Sequence, residues 1–256
     1  MRIASWNVNS MKARLHHVLD YCKAGHTDVI LAQELKLTDE NFPVDAFKDI
    51  GWNVATHGQK TYNGVAILSP HPIENIQIGL EGDDEDEQAR FIQASVKGIH
   101  LASIYLPNGN PCPGPKFDYK LAWMDRLEKV ASQLMKSEKP VVLGGDYNVI
   151  PQPIDCYDPA AWEGDALFHE ESRKRFFTLL HMGYCDAFRA IHPEGAHYSF
   201  WDYQAGAWPK NNGIRIDHLL LSPEAANKLT NAGIDKAPRG LEKASDHTPI
   251  WCDITV

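Results

Sequence analysis

The sequence has little of what an exported or membrane protein is built from. None of its apolar runs approaches the ~20 residues a spanning helix needs, so a membrane partner is excluded from the expectation. Its five cysteines, Cys22, Cys112, Cys156, Cys185 and Cys252, are scattered, odd in number and without metal-type spacing. They read as reduced thiols, which argues against a zinc site. Met1-Arg2-Ile3-Ala4-Ser5-Trp6-Asn7 lacks the basic-then-apolar layout of a signal peptide, and a cytoplasmic address is expected. Basic charge is also short: 25 Lys and Arg face 34 Asp and Glu, a net charge of −9. A broad basic surface for nucleic acid is therefore not expected. A bound cation at a reacting centre, helped by a few local lysines and arginines, remains compatible with that balance. Repeats, low-complexity segments and linkers are absent too, so the 256 residues are expected to form one domain, 1–256.

What is present is a series of short apolar runs. Ile3–Asn7, Val29–Gln33, Val65–Leu68, Phe91–Val96, Ala102–Leu106, Val141–Gly144, Ile216–Ser222 and Ile250–Ile254 predict strands. Apolar residues at helical spacing predict helices over Met11–Ala24, Phe117–Lys136 and Glu170–Met182. Many strands with few long helices, and no strict βαβ alternation, predict two β-sheets packed face to face with helices on the outer faces. The acidic run Glu81–Glu87 reads as a solvated loop between strands.

The informative residues are polar ones at strand ends. The runs finish in Trp6-Asn7-Val8-Asn9, in Ala32-Gln33-Glu34, in Gly145-Asp146-Tyr147-Asn148, and in Ser245-Asp246-His247. Asp, Glu and Asn oxygens suit a hard cation such as Mg2+. Any one of them alone is as well explained by local structure, and Asn7 could simply cap its own turn. Their recurrence at apolar strand ends is what points to a site, because buried strand ends seldom carry unpaired carboxylates. His247 would need a carboxylate to fix its tautomer, and Asp217 in Arg215-Ile216-Asp217 is the candidate.

These segments, with Gly58-Gln59-Lys60, Tyr62-Asn63-Gly64, Tyr105-Leu106-Pro107-Asn108-Gly109 and Gly213–Asp217, resemble the exonuclease III family of apurinic/apyrimidinic endonucleases almost end to end. That family lies within the endonuclease/exonuclease/phosphatase superfamily. The resemblance implies a four-layer α/β/β/α sandwich and a DNA phosphodiesterase using Mg2+, with Mn2+ able to substitute. It implies that Glu34, Asn7 and Asp246 surround the metal, with Asp146 and Asn148 in reach of it. Asp146 would orient the attacking water, Asn148 would hold a phosphate oxygen, and Tyr105 would reach the phosphate or leaving group. His247, oriented by Asp217, would stabilise the scissile phosphate. Lys60, Lys116, Lys120, Lys210 and Arg215 are the candidate phosphate contacts, although each taken alone reads better as a solvated charge, and Asn63 would join them on DNA. Family members that cut at abasic sites swing the baseless sugar into a small apolar pocket, whose walls here would be Phe200, Ile214 and Ile216. The implied partner is double-stranded DNA with abasic sites or blocked 3′ ends, acted on by a monomer with no obligate protein partner.

The chain departs from the family pattern at Trp162 and Leu167. Efficient abasic-site cutters carry glycine or serine where Leu167 falls and asparagines where Trp162 and Asp165 fall. Either Leu167 narrows the pocket against a flipped sugar while a 3′-terminal group still enters, or it packs away and changes nothing. Two rival readings are a phosphatase of small phosphoesters from the same superfamily and a catalytically dead nucleic-acid-binding domain. Glu34, Asp146, Asn148, Asp217 and His247 together argue against the second rival.

Overall fold

A computed structural model describes residues 1–256. In chain order the strands are β1 (Arg2–Asn7), β2 (Val29–Gln33), β3 (Asn53–His57), β4 (Val65–Ser69), β5 (Glu74–Ile78) and β6 (Phe91–Val96). They continue with β7 (Ile99–Tyr105), β8 (Val141–Asp146), β9 (Cys185–Asp186), β10 (Asp217–Leu221), β11 (Leu229–Ile234) and β12 (Ile250–Ile254). They form two six-stranded sheets, β11-β12-β1-β2-β4-β3 and β5-β6-β7-β8-β10-β9. The main helices are α1 (Met11–Lys23), α2 (Val44–Lys48), α3 (Pro115–Met135) and α4 (Glu170–His181).

Three apolar layers hold the stack together. Ile3, Val29, Leu31 and Ile67 of the first sheet meet Ile92, Leu101, Val142 and Leu219 of the second in a central core. Outside the first sheet, Met11 and Val18 of α1 and Phe47 of α2 pack on Ile30 and Leu68. Outside the second, Trp123 and Leu127 of α3 and Phe176 of α4 pack on Ala102 and Leu143. The expected four-layer sandwich is therefore the observed one. Strands such as Val29–Gln33, covered on both faces, read as unbroken apolar runs for that reason.

Each sheet contains one parallel pair, β1/β2 joined through α1 and β7/β8 joined through α3. Parallel strands must be linked by a crossover, and they consequently end at the same edge. Asn7 aligns with Gln33, and Tyr105 aligns with Asp146. The two pairs lie face to face, so the chain leaves four strand ends close together. Proline opens α3 at its first helical residue, where the missing N–H costs nothing.

Candidate active site

Asn7 joins the two sheets. Its side-chain nitrogen donates to Glu34 Oε1 at 2.8 Å and to Asp146 Oδ2 at 2.9 Å, while its oxygen accepts from Asn9 N at 3.0 Å. Glu34 and Asn148 hold φ of 51° and 46°, a left-handed backbone uncommon for such residues and concentrated at functional sites. That turn aims their groups off the strand ends. Lys36 Nζ sits 2.9 Å from Glu34 Oε2. Burial works against ionisation of Glu34, but the Asn7 amide and the Lys36 ammonium outweigh it and hold the carboxyl below its usual range.

His247 is buried against both sheets. Its Nδ1 is 2.9 Å from Asp217 Oδ2, and its Nε2 is 3.7 Å from Asp146 Oδ2. Ser199 Oγ also donates to Asp217 Oδ2, at 2.6 Å, and accepts from Asp217 N. Ser245 Oγ accepts from His247 N and donates to Asn7 O at 2.7 Å, which ties the histidine's loop to the end of β1. Burial lowers the imidazolium's pKa, yet the Asp217 and Asp146 carboxylates prevail and raise it to about 10. Asp146 moves up to about 7, chiefly because it is desolvated. Desolvation beside Glu34 and Asp146 likewise pushes the Tyr105 hydroxyl well above its ordinary value.

Ligand atoms of Glu34, Asp146 and His247 lie within 4.8 Å of one another. Two carboxylates sharing one amide donor offer hard oxygen ligands, so this is an acidic site fit for a divalent cation. The other residues of the expected ligand set make hydrogen bonds around this group. Asn7 turns its nitrogen, not its oxygen, toward the carboxylates, and so bridges them. Asp246 Oδ1 instead accepts from Asn9 Nδ2 at 3.0 Å. Asn148 accepts from Asn108 Nδ2 at 3.2 Å and donates to Leu106 O at 2.9 Å. Asn148 N also donates to Asp146 Oδ1 at 2.9 Å, which keeps Asn148 beside the group.

Comparison with known proteins agrees with this geometry. Residues 4–247 match the Endonuclease/Exonuclease/phosphatase family. Exodeoxyribonuclease III of Haemophilus influenzae is 31% identical over 265 residues, 99% of each chain. The chain belongs to this family, in its exonuclease III branch. Among solved structures, a 3′ phosphatase (NExo) from Neisseria bound to a product DNA hairpin superposes with a TM-score of 0.98 at 38% identity, covering 100% of both chains. An AP endonuclease from Archaeoglobus fulgidus gives 0.96 at 36% identity, again over 100% of both. The protein is thus a nuclease of the exodeoxyribonuclease III type, a phosphoester hydrolase.

Around the centre of this exonuclease III-type enzyme the remaining residues sort by exposure. Two grooves of about 510 Å³ each meet at Lys36. One is lined by Lys12, Lys36 and Lys60, and the other runs from Glu34 and Tyr105 past Asn63, Arg90 and Lys116. A local positive surface thus exists despite the net charge of −9. Lys12, Lys36 and Arg90 were not distinguishable from solvated charges in the sequence. Across the centre, a cleft of about 280 Å³ is lined by Tyr157, Trp162, Phe200, Asn212 and Ile214. The Phe200 ring stands 4.9 Å from that of His247. Lys210 is exposed beyond that cleft and donates to Ala205 O.

Two expected DNA contacts are overturned. Lys120 is 0% exposed, and Nζ donates to backbone oxygens of Asn148, Asn108 and Ala166. Burial drives its pKa down to about 7. Arg215 is 1% exposed and bonds Asp155 Oδ1 and Asp186 Oδ2, both at 2.8 Å. Neither side chain can touch a strand of DNA. Ser199 was missed altogether, since a lone serine beside Phe200 carries no distinguishing signal.

Proposed function

We propose that the chain is a Mg2+-dependent DNA phosphodiesterase that acts mainly at 3′ ends, as a 3′-phosphatase and 3′→5′ exonuclease. Internal incision at abasic sites is its weaker activity. The observation that carries this reading is Leu167. Its side chain is 4% exposed and packed with Ile150, Cys156, Ile214 and Ile216, flanked by Trp162 and Phe200. The backbone there is fixed: Leu167 N donates to Asp165 Oδ1 at 2.8 Å, and Asp165 accepts from Asn110 Nδ2 at 3.1 Å. Leu167 does not itself line the cleft; it stands behind Phe200 and Trp162, which do, and an isobutyl group there holds them forward and leaves less room for a sugar swung out of the helix. A terminal 3′ group approaches along the open groove. The Neisseria 3′ phosphatase, at 38% identity over the whole chain, is consistent with this preference.

In this reading Asp146 orients a water toward phosphorus and takes its proton. The P–O3′ bond breaks, leaving a 3′-hydroxyl. His247, held by Asp217 through Nδ1, presents Nε2–H to the charge that develops on phosphorus oxygens. Tyr105 donates a hydrogen bond from its hydroxyl to the phosphate or the leaving oxygen. Glu34 and Asp146 would hold the cation, Mg2+ or Mn2+ in its place, which supplies Lewis-acid charge at a phosphoryl oxygen.

Labelled duplexes test the preference directly, one with an internal abasic analogue and one with a nick ending in 3′-phosphate. The 3′-phosphate duplex is expected to be processed faster, with both activities abolished by chelator. Leu167→Gly is expected to raise abasic incision about tenfold or more while 3′-phosphate removal stays within about threefold. Unchanged abasic incision would remove the gating role. Lys60→Ala and Lys116→Ala are each expected to raise KM for DNA a few-fold at constant kcat. Each should also flatten the dependence of log affinity on log salt by about 0.9. A changed kcat with an unchanged salt slope would place those lysines elsewhere than on phosphates.

A further inference from the structure

We propose that Lys120 is a positioning residue for the hydrolysis, clamping three separate loops of the site into one rigid rim. This rests on the reading above that the Asp146–His247 centre meets the scissile phosphate.

The clamp is visible in the donors. Lys120 leaves the second turn of α3 and runs inward past Gly109. A Cβ on Gly109 would lie 2.6 Å from Lys120 Cδ and 3.1 Å from Ala166 Cβ, and φ there is +88°. Only glycine leaves space for the stem at that conformation. At its end, Nζ donates to Asn148 O at 2.6 Å, Asn108 O at 3.1 Å and Ala166 O at 3.3 Å. Protonated, the amine has three N–H groups, one for each carbonyl.

The three carbonyls belong to different segments. Asn108 follows β7, and its side chain donates to Asn148 Oδ1. Asn148 follows β8, and its N donates to Asp146 Oδ1 at 2.9 Å. Ala166 precedes Leu167 in the segment leading to α4. Burying a cation on carbonyls alone is expensive, and a methionine or leucine would fill the same volume. What the ammonium adds is a fixed spacing between the water-orienting end of β8, the groove wall after β7 and the segment that backs Phe200 and Trp162.

Lys120→Met tests the clamp against two controls. Met124→Ala cuts the buried face of the same helix and serves as the control for lost stability. Ser172→Ala removes a different bond to Ala166 O, at 2.7 Å. Thermal melting, amide hydrogen exchange and steady-state kinetics are measured, the last on whichever duplex the wild type cuts. Lys120→Met is expected to speed exchange in all three loops together and to lower kcat about 10–100-fold with KM within about threefold. Met124→Ala at equal melting loss should keep kcat within about threefold, and Ser172→Ala should speed exchange only near residue 166. If Lys120→Met does not fold, Gly109→Ala, which pushes the stem aside, is expected to give the same exchange pattern. Unaltered exchange in the loops, or a kcat no lower than that of Met124→Ala, overturns the proposal. A wild type inactive on the 3′-phosphate duplex would instead sink the substrate reading, leaving the exchange result to decide on Lys120.

Discussion

His247→Gln is expected to lower kcat about 10³-fold while KM for DNA stays within about threefold. The side chain is already buried and aligned by Asp217 at 2.9 Å, so substitution removes charge at a prepared position and leaves the grooves untouched. An interaction that acts on the transition state changes kcat and kcat/KM equally, and steady-state kinetics at saturating Mg2+ would show this. A loss smaller than about tenfold would mean that the imidazolium does not face the phosphate. The same pair sets a pH profile. With Asp146 raised to about 7 and His247 to about 10, the rate should climb as Asp146 loses its proton and fall as His247 loses its own. A cation bound beside Glu34 favours the ionised carboxylate and draws the acidic limb lower. A rate that falls on raising the pH from 6 to 8 would contradict these roles.

Arg215→Ala is expected to cost about 3–5 kcal/mol of stability, because it takes the arginine from buried Asp186 and leaves buried Asp155 with Arg189 alone. Asp155 accepts from both Arg215 and Arg189, and Asp186 accepts from Arg215. His218 completes the cluster: Nδ1 lies 3.0 Å from Arg215 Nη1 and Nε2 lies 3.1 Å from Val149 O. At roughly 2–4 °C per kcal/mol for a chain of this size, the melting temperature should fall by about 6–20 °C. The salt dependence of DNA binding should not change. A variant that melts normally but binds DNA with a shallower salt slope would return Arg215 to the DNA surface.

The sequence exposes some of this architecture and hides the rest for physical reasons. Strands covered on both sides, such as Val29–Gln33 and Phe91–Val96, are plain because burial demands unbroken apolar runs. Edge strands are not. All five residues of Glu74–Ile78 are exposed, and Asn53–His57 and Leu229–Ile234 are only partly covered, so no period-2 pattern marks them. The acidic residues were legible because they end apolar runs, and the fold gathers Glu34 and Asp146 from opposite sheets. Lys120 and Arg215 were misread since a buried cation and a phosphate-binding one are spelled alike. Their partners, backbone carbonyls in one case and Asp155 with Asp186 in the other, are brought up only by tertiary packing.

The bridge from Asn7 to Glu34 and Asp146 has a consequence for the life of the chain in a cell. Glu34 belongs to one sheet, Asp146 and Asp217 to the other, and His247 enters on the loop leading back into the first. Neither sheet alone possesses a cutting centre. A chain still emerging from the ribosome, or one partly unravelled by heat, has no competent set of groups to turn on DNA. His247 sits on the loop leading into β12, so the capacity to cleave needs both sheets packed together and is lost when they separate.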